Sequence, residues 1–188
     1  MAHRRTRVGP GLLASIGLSC AAGWGAQAAT SQQAPDMAWS LSSPAFKPGD
    51  MIPAPYTCDG QDLSPPLQWA PPPSGTKSLA LVSDDPDAPG GTWVHWIVYN
   101  LPPSLRVLPE AFPPNEELPD GTRQGLTSFG RTGYGGPCPP SGTHRYVFTL
   151  YALDVVLALP PRSSARQLDE AIKGHVLAQA ELMGTYRR

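Results

Sequence analysis

The fold is decided by a nearly uninterrupted apolar stretch late in the chain, Tyr146-Val147-Phe148-Thr149-Leu150-Tyr151-Ala152-Leu153. Two shorter stretches upstream have the same character, Leu79-Ala80-Leu81-Val82 and Ile97-Val98-Tyr99. Such runs fit strands that are covered on both faces, and their β-branched and aromatic residues favour strand over buried helix. Proline and glycine interrupt almost everything before residue 145. This punctuation excludes a helical bundle and is typical of short strands joined by irregular loops.

On this basis we predict five strands, over residues 38–42, 67–69, 78–84, 93–100 and 145–153. The stretch 102–133 is a long loop region rich in proline, glycine and glutamate. Because compact domains rarely keep so long a loop without a use, we expect it to have a role.

One helix is predicted near the C-terminus. Ser164 can cap its first turn, and Gln167 stands at the capping-box position. Apolar residues at roughly helical spacing extend the prediction, and a glycine near the end of the chain serves as its C-cap. These residues are Leu168, Ile172, Val176, Leu182 and Gly184.

The first residues have the pattern of a secretory signal peptide. Residues 3–7 are basic, 11–22 are apolar, and 26–28 form a small-x-small cleavage site. The apolar run is too short to span a bilayer, which takes about 20 apolar residues. We therefore predict an exported, periplasmic or secreted protein with no transmembrane segment in the mature chain. Lipidation through Cys20 is the less favoured alternative, because Gly17 stands where a lipobox usually has leucine.

The predicted organisation is a signal peptide over residues 1–29, a flexible mature N-terminus over 30–37 and one domain over 38–188. The leader carries three of the 14 lysines and arginines and none of the 15 acidic residues. Its removal leaves eleven basic residues against fifteen acidic ones, a formal net charge of −4. A mildly acidic domain is a poor candidate for nonspecific binding to nucleic acid, so no nucleic-acid partner is expected.

Two cysteines remain after the leader, Cys58 and Cys138. An even count in an exported protein allows one disulfide, and the alternative is two free thiols. Because the two cysteines lack CxxC spacing, a structural zinc site is not expected. We predict no metal and no cofactor.

Two loops each lead into a strand that begins with a histidine. The first loop, 84–89, is acidic and leads to His95, and the second, 136–142, leads to His144 and Tyr146. Because side chains alternate along a strand, His144 and Tyr146 share one face, with apolar residues deeper on that face. Taken singly, these features are an acidic turn, a packed core histidine and a plain loop. Their coincidence favours a small anion site at one rim of the sheet.

The residue types at this rim have a consistent chemistry. Imidazole N–H groups and the Tyr146 hydroxyl can donate to a phosphate-like anion, while a carboxylate on the other ring nitrogen fixes the tautomer. Gly136 lets the backbone approach a ligand closely. The carboxylates can also meet an ammonium group on which Trp93 or Trp96 stacks.

The chain carries six motifs in this order: Tyr56-Thr57-Cys58-Asp59-Gly60, Ser64-Pro65-Pro66-Leu67, Asp85-Pro86-Asp87-Ala88-Pro89, Trp93-Val94-His95-Trp96, Gly136-Pro137-Cys138-Pro139-Pro140-Ser141-Gly142-Thr143-His144-Arg145-Tyr146 and Gly174-His175-Val176-Leu177-Ala178. In them the chain resembles the phosphatidylethanolamine-binding protein family, also called the Raf kinase inhibitor-like family. It is similar to the bacterial YbhB/YbcL-type branch, from about residue 40 to 188.

The resemblance implies a mostly β fold, an antiparallel two-sheet β-sandwich with short peripheral helices and a C-terminal α-helix. It also implies a small pocket for phosphate or phospholipid head groups of the phosphoethanolamine type. Carried over residue by residue, the ligand-binding set is Asp85, Asp87, His95, Gly136, Pro139, His144 and Tyr146.

Three functions compete on these grounds. The favoured one is an exported binding or regulatory protein that holds an anionic head group. The second is an inhibitor of a protease or other partner enzyme, with 102–133 as its contact surface. A phosphoester hydrolase that uses His95 or His144 as its nucleophile is the least favoured, because the chain has no Gly-x-Ser-x-Gly elbow and no evident Cys–His pair. Kinase inhibition is not expected, since the loop between Gly136 and His144 differs in length from that of the animal proteins and an exported protein does not meet a cytosolic kinase.

Overall fold

The computed structural model describes residues 39–188. The predicted signal peptide, residues 1–29, and the predicted mature N-terminus, 30–37, lie outside the described residues. Within 39–188 the elements in chain order are β1 Leu41–Ser42, β2 Leu67–Trp69, β3 Ser78–Asp85, β4 Trp93–Leu101, β5 Val107–Leu108, β6 Arg123–Gln124, β7 Thr143–Leu153, α1 Ala165–Ile172 and β8 Val176–Arg187. A single 3₁₀ turn covers Ala54–Tyr56.

The strands form two sheets in which all neighbours are antiparallel. The smaller sheet has the order β1-β2-β5 and the larger one the order β6-β4-β3-β7-β8. The predicted fold class, a mostly β protein with two antiparallel sheets and a helix, is confirmed. The predicted strand 67–69 has the bounds of β2, and the four other predicted strands overlap β1, β3, β4 and β7.

The central strands of the large sheet are covered on both faces, as their continuous apolar runs predict. One face packs against the small sheet and buries Leu81, Trp96 and Phe148 completely. On the other face, Ile97 of β4 belongs to a second core cluster with Leu168 of α1. Each fully buried large side chain contributes about 1.5–3 kcal/mol of hydrophobic stabilisation. Alternation is therefore missing from these strands because neither face meets water.

Helix α1 begins where the sequence predicts but ends earlier. The Ser164 hydroxyl accepts from the Gln167 N–H, and the reciprocal bond of the capping box is also present. The helix ends at Ile172, because Lys173 has left helical geometry with ψ 123° and Gly174 takes a φ of +79°. A single helix running from 165 to Gly184 was therefore a wrong prediction.

The chain beyond Gly174 forms β8, which pairs with β7 along almost its whole length. Ala180, Leu182 and Tyr186 are buried and stand two and four residues apart, which is the spacing of side chains on one face of a strand. Gly184 lies within β8 and caps no helix. A Cβ atom on Gly184 would stand 2.6 Å from Ile52 Cγ1, so glycine is needed there for close packing.

An early segment covers one end of β8. The Ile52 N–H donates to the Thr185 carbonyl at 2.7 Å, and the Thr185 N–H donates to the Asp50 carbonyl at 2.9 Å. The stretch 102–133 is likewise tied down, since the Gln124 amide donates to two carbonyls within that stretch and accepts from the Trp96 indole. Within 39–188 no helix is long and apolar enough to cross a membrane.

Candidate functional site

A cavity of about 320 Å³ opens at the rim of the large sheet, where β3 ends and β4 and β7 begin. These three strands are neighbours, so antiparallel pairing brings the three ends together. The cavity wall is mainly apolar and aromatic, with a few polar groups. Its lining residues are Asp85, Ala88, Pro89, Trp93, His95, Phe129, Cys138, Pro140, His144 and Tyr146.

His144 and Asp85 form a buried pair in this wall. The His144 Nδ1–H donates to Asp85 Oδ2 at 2.7 Å, and the side chains are 10% and 5% exposed. The other Asp85 oxygen accepts the backbone N–H of Asp87 at 2.8 Å. Both Asp85 oxygens are thus engaged. The pair fixes the His144 ring so that Nε2 is the nitrogen left for an occupant of the cavity.

His95 is held by a backbone carbonyl. Its Nδ1 lies 2.5 Å from the Gly135 oxygen, and because a carbonyl can only accept, Nδ1 carries the proton. Its ring makes edge contacts with the rings of Phe129 and Tyr146. Burial lowers the pKa of His95 below its ordinary value, partly opposed by the Gly135 carbonyl and by Asp85. The ring is therefore neutral at pH 7, and its Nε2 presents a lone pair.

The Tyr146 hydroxyl lies in the same wall and has no hydrogen-bond partner among residues 39–188. Tyr146 is only 1% exposed. Burial and the charge of Asp85 raise the pKa of its phenol, so it stays protonated and able to donate. A buried donor left without a partner costs about 1–3 kcal/mol, which makes this group a candidate contact for a bound ligand.

Three predicted site residues, Asp87, Gly136 and Pro139, do not line the cavity. Asp87 instead accepts two hydrogen bonds from the Arg145 guanidinium, which lowers the pKa of Asp87 to about 2. The Gly136 N–H donates to Asp62 Oδ1 at 2.5 Å, and a Cβ on Gly136 would stand 2.6 Å from the Tyr56 carbonyl oxygen. Close packing alone is enough to require glycine at this position.

Pro139 is buried between two residues of the wall, Cys138 and Pro140. Cys138 is joined to Cys58 in a disulfide with a Cα–Cα distance of 5.5 Å, so the predicted bridge is confirmed. The Cys58 N–H also donates to the Pro137 carbonyl at 3.1 Å. The bridge therefore ties the loop around Cys58 to a wall of the cavity.

Aromatic residues at the mouth complete the site. Trp93 and Phe129 are each 41% exposed and meet edge to face with ring centroids 5.5 Å apart. Trp93 was proposed from the sequence as a stacking group, whereas Phe129 was not, because nothing in the long loop marks it. Trp96, the other stacking candidate, lies in the core with no exposed surface and is not part of the cavity.

The model of one protein family, described as phosphatidylethanolamine-binding protein, matches residues 42–187. This chain belongs to the phosphatidylethanolamine-binding protein family. The predicted membership is thereby confirmed over nearly all of the described residues.

Relatives of this family lie in archaea and bacteria. A UPF0098 protein of Methanothermobacter thermautotrophicus is 52% identical over 149 residues, which cover 79% of this chain and 99% of the relative. The crystal structure of a phosphatidylethanolamine-binding protein homolog, CT736 of Chlamydia trachomatis, is 46% identical with a TM-score of 0.74, covering 80% of this chain and 98% of the other. Escherichia coli YbcL, described as a member of the mammalian family, is 33% identical with a TM-score of 0.74 and the same coverage.

Proposed function

We propose that this phosphatidylethanolamine-binding protein homolog binds a phosphate-bearing head group of the phosphoethanolamine type in the cavity at the sheet rim. The observation that carries the proposal is the buried Tyr146 hydroxyl, which has no partner within 39–188 and lies in a wall shared with two oriented histidines. Family membership supports it, since the family is described by binding to such a lipid.

The polar groups of the cavity divide into donors and an acceptor. The Tyr146 hydroxyl and, when the ring is protonated, His144 Nε2 can donate to phosphate oxygens. His95 Nε2 accepts, because its Nδ1 is committed to the Gly135 carbonyl. The ring of Trp93 at the mouth offers a face to an ammonium group. A zwitterionic head group uses this whole set.

We further propose that the protein binds without turnover and acts outside the cytoplasm. The lining residues include no serine, and the one sulfur among them is disulfide-bonded, so covalent catalysis would have to use a histidine, the Asp85 carboxylate or the Tyr146 phenol. The disulfide supports export, since such bonds persist in oxidising compartments. Hydrolysis of p-nitrophenyl phosphate that is lost in His144→Ala would instead favour the hydrolase alternative.

The inhibitor alternative depends on the long stretch 102–133. That stretch is pinned by the Gln124 amide and by the Arg123–Glu117 and Arg162–Glu116 pairs. Since no feature of it favours a partner enzyme over the cavity, inhibition stays a prediction from the sequence.

Calorimetric titration of residues 30–188 with O-phosphoethanolamine tests the proposal. We expect saturable binding that weakens at least tenfold in His144→Ala and about tenfold in Tyr146→Phe, since each loses a hydrogen bond to a charged group. His175→Ala is the matched control, because His175 also pairs with an aspartate but lies outside the cavity. Equal binding by all variants, or none by the wild type, overturns the proposal.

A further inference from the structure

One peptide group connects a carboxylate to His95. The carbonyl of the Gly135–Gly136 peptide accepts the His95 Nδ1–H at 2.5 Å, and the N–H of the same peptide donates to Asp62 Oδ1, also at 2.5 Å. Asp62, the peptide and His95 thus form a continuous chain of hydrogen bonds. Asp62 itself does not line the cavity.

Such a chain is cooperative. A carboxylate that accepts from a peptide N–H increases the electron density on that peptide's carbonyl oxygen, which makes the oxygen a stronger acceptor. The strengthened acceptor faces the ring nitrogen of His95. Asp62 thereby acts on His95 through the peptide much as Asp85 acts on His144 directly.

Close packing holds the peptide in this orientation. A Cβ on Gly135 would overlap the ring of Phe129, and one on Gly136 would stand 2.7 Å from Asp62 Oδ1. Asp62 takes a φ of 56°, a left-handed value uncommon for a non-glycine residue. Its second oxygen is paired with Arg131 at 3.4 Å. The close-packed glycines and the Asp62 backbone therefore hold this hydrogen bond, whereas the Arg131 pair, with side chains 48% and 41% exposed, adds little.

We propose that Asp62 is a positioning residue that, through the Gly135–Gly136 peptide, holds His95 in the tautomer with the proton on Nδ1. His95 Nε2 is then kept as an acceptor toward the cavity, while Tyr146 supplies a donor. The consequence for ligands rests on the proposed function: the occupant must bring a hydrogen to His95, as a protonated phosphomonoester or an ammonium group does.

The charged and titratable groups around His95 act in known directions. Burial lowers its pKa, whereas Asp85 and Asp62 raise it. Arg131 partly offsets Asp62, and the Tyr146 phenol is neutral, because its own pKa is raised. Loss of the Asp62 charge therefore moves the titration of His95 to lower pH.

The test is nitrogen-15 NMR of histidine-labelled protein without ligand, which distinguishes protonated from unprotonated ring nitrogens. We expect the wild type to carry the His95 proton on Nδ1 at pH 7.5. Asp62→Ala should give a mixture of tautomers and a lower titration midpoint. Asp62→Asn keeps an oxygen for the Gly136 N–H, so it should restore the tautomer while the midpoint stays lowered. Asp59→Asn, which changes a nearby carboxylate bonded to Tyr186, is the control and should leave His95 unchanged.

Thermal unfolding of each variant shows whether it is folded. Asp62→Gly suits the left-handed φ of Asp62 and also removes the acceptor, so it keeps the tautomer test available where Asp62→Ala unfolds. A wild-type His95 tautomer in folded Asp62→Ala or Asp62→Gly, or a wild-type midpoint in folded Asp62→Asn, overturns the proposal. Titration with O-phosphoethanolamine is then made on the same samples. Failure of the wild type to bind contradicts the proposed function alone, because the tautomer is read without any ligand.

Discussion

Residues 39–188 contain two Asp–His pairs of nearly equal length in different surroundings. The His144–Asp85 contact is 2.7 Å with side chains 10% and 5% exposed, and the His175–Asp154 contact is 2.8 Å with both side chains 45% exposed. Both histidines lie at the beginning of a strand, since His144 is the second residue of β7 and His175 immediately precedes β8. Residue types and distance therefore do not separate a candidate site from an ordinary surface pair.

Enclosure and neighbours separate them. Around His144 the wall contains a second oriented histidine and a buried hydroxyl with no partner in the described part of the chain, whereas His175 borders an open surface hollow lined by Val155 and Val156. In water an exposed ion pair gains little, because solvent screens it and side-chain entropy opposes it. A hydrogen bond from a ligand therefore gains more at the buried, unsatisfied group than at the exposed pair.

The largest effect should come from removing the disulfide that ties the His144 region together. Its two cysteines are 80 positions apart, so replacing Cys58 and Cys138 by serine should cost about 4.5 kcal/mol of unfolding free energy by loop entropy. Urea unfolding measures the loss. The NMR signals of the His144 side chain should shift in the variant, because Cys138 and His144 line the same cavity. The signals of His175 should stay, because His175 does not line that cavity. Equal shifts at both histidines would contradict the assignment of the bridge to one region.

Replacing the aspartate of each pair by alanine compares the contributions of the two pairs to stability directly. Asp85→Ala leaves His144 and a backbone N–H without a buried acceptor and should cost about 3 kcal/mol. Asp154→Ala removes an exposed partner and should change stability by no more than about 0.5 kcal/mol. Chemical unfolding of the two variants measures both values. Similar losses would erase the distinction between the pairs.

The smallest effect concerns pH. Because the pKa of His95 is lowered in the folded protein, protonation favours the unfolded chain. This contribution is fully present above about pH 6.5, the ordinary histidine value, and is lost as pH falls toward the folded pKa. The slope for one proton is at most about 1.4 kcal/mol per pH unit. Urea midpoints between pH 7.5 and 5 should fall less in His95→Gln than in the wild type, and an equal fall in the two proteins would contradict the lowered pKa of His95.

The sequence predicts an element when that element depends on contacts between residues close in the chain, or on a burial pattern that continues along a strand. Ser164 and Gln167 begin the helix through contacts three residues apart, and the apolar run from Leu79 owes its pattern to burial on both faces. The end of the helix was mispredicted, because Val176 and Leu182 fit helical spacing equally well. Pairing with β7, a tertiary partner, decided in favour of strand.

The site divides in the same way. That His95, His144 and Tyr146 line one cavity was predictable, because each lies near the start of its strand. Asp62 and Phe129 were not, since their contacts join distant parts of the chain, and the Asp62–Gly136 bond spans 74 positions. Asp87 was predicted to line the pocket, but its carboxylate accepts hydrogen bonds from the Arg145 guanidinium instead. No pattern in the sequence indicates this contact.

The segment that covers the end of β8 also bears on how the chain is made. Thr185 is bonded to Asp50, 135 positions earlier, and Ile52 closes onto the same residue. Because a ribosome adds about 5–20 residues per second, the segment at Asp50 waits on the order of ten seconds for its partner in β8. Until then the edge of β7 that pairs with β8 is open to other strands.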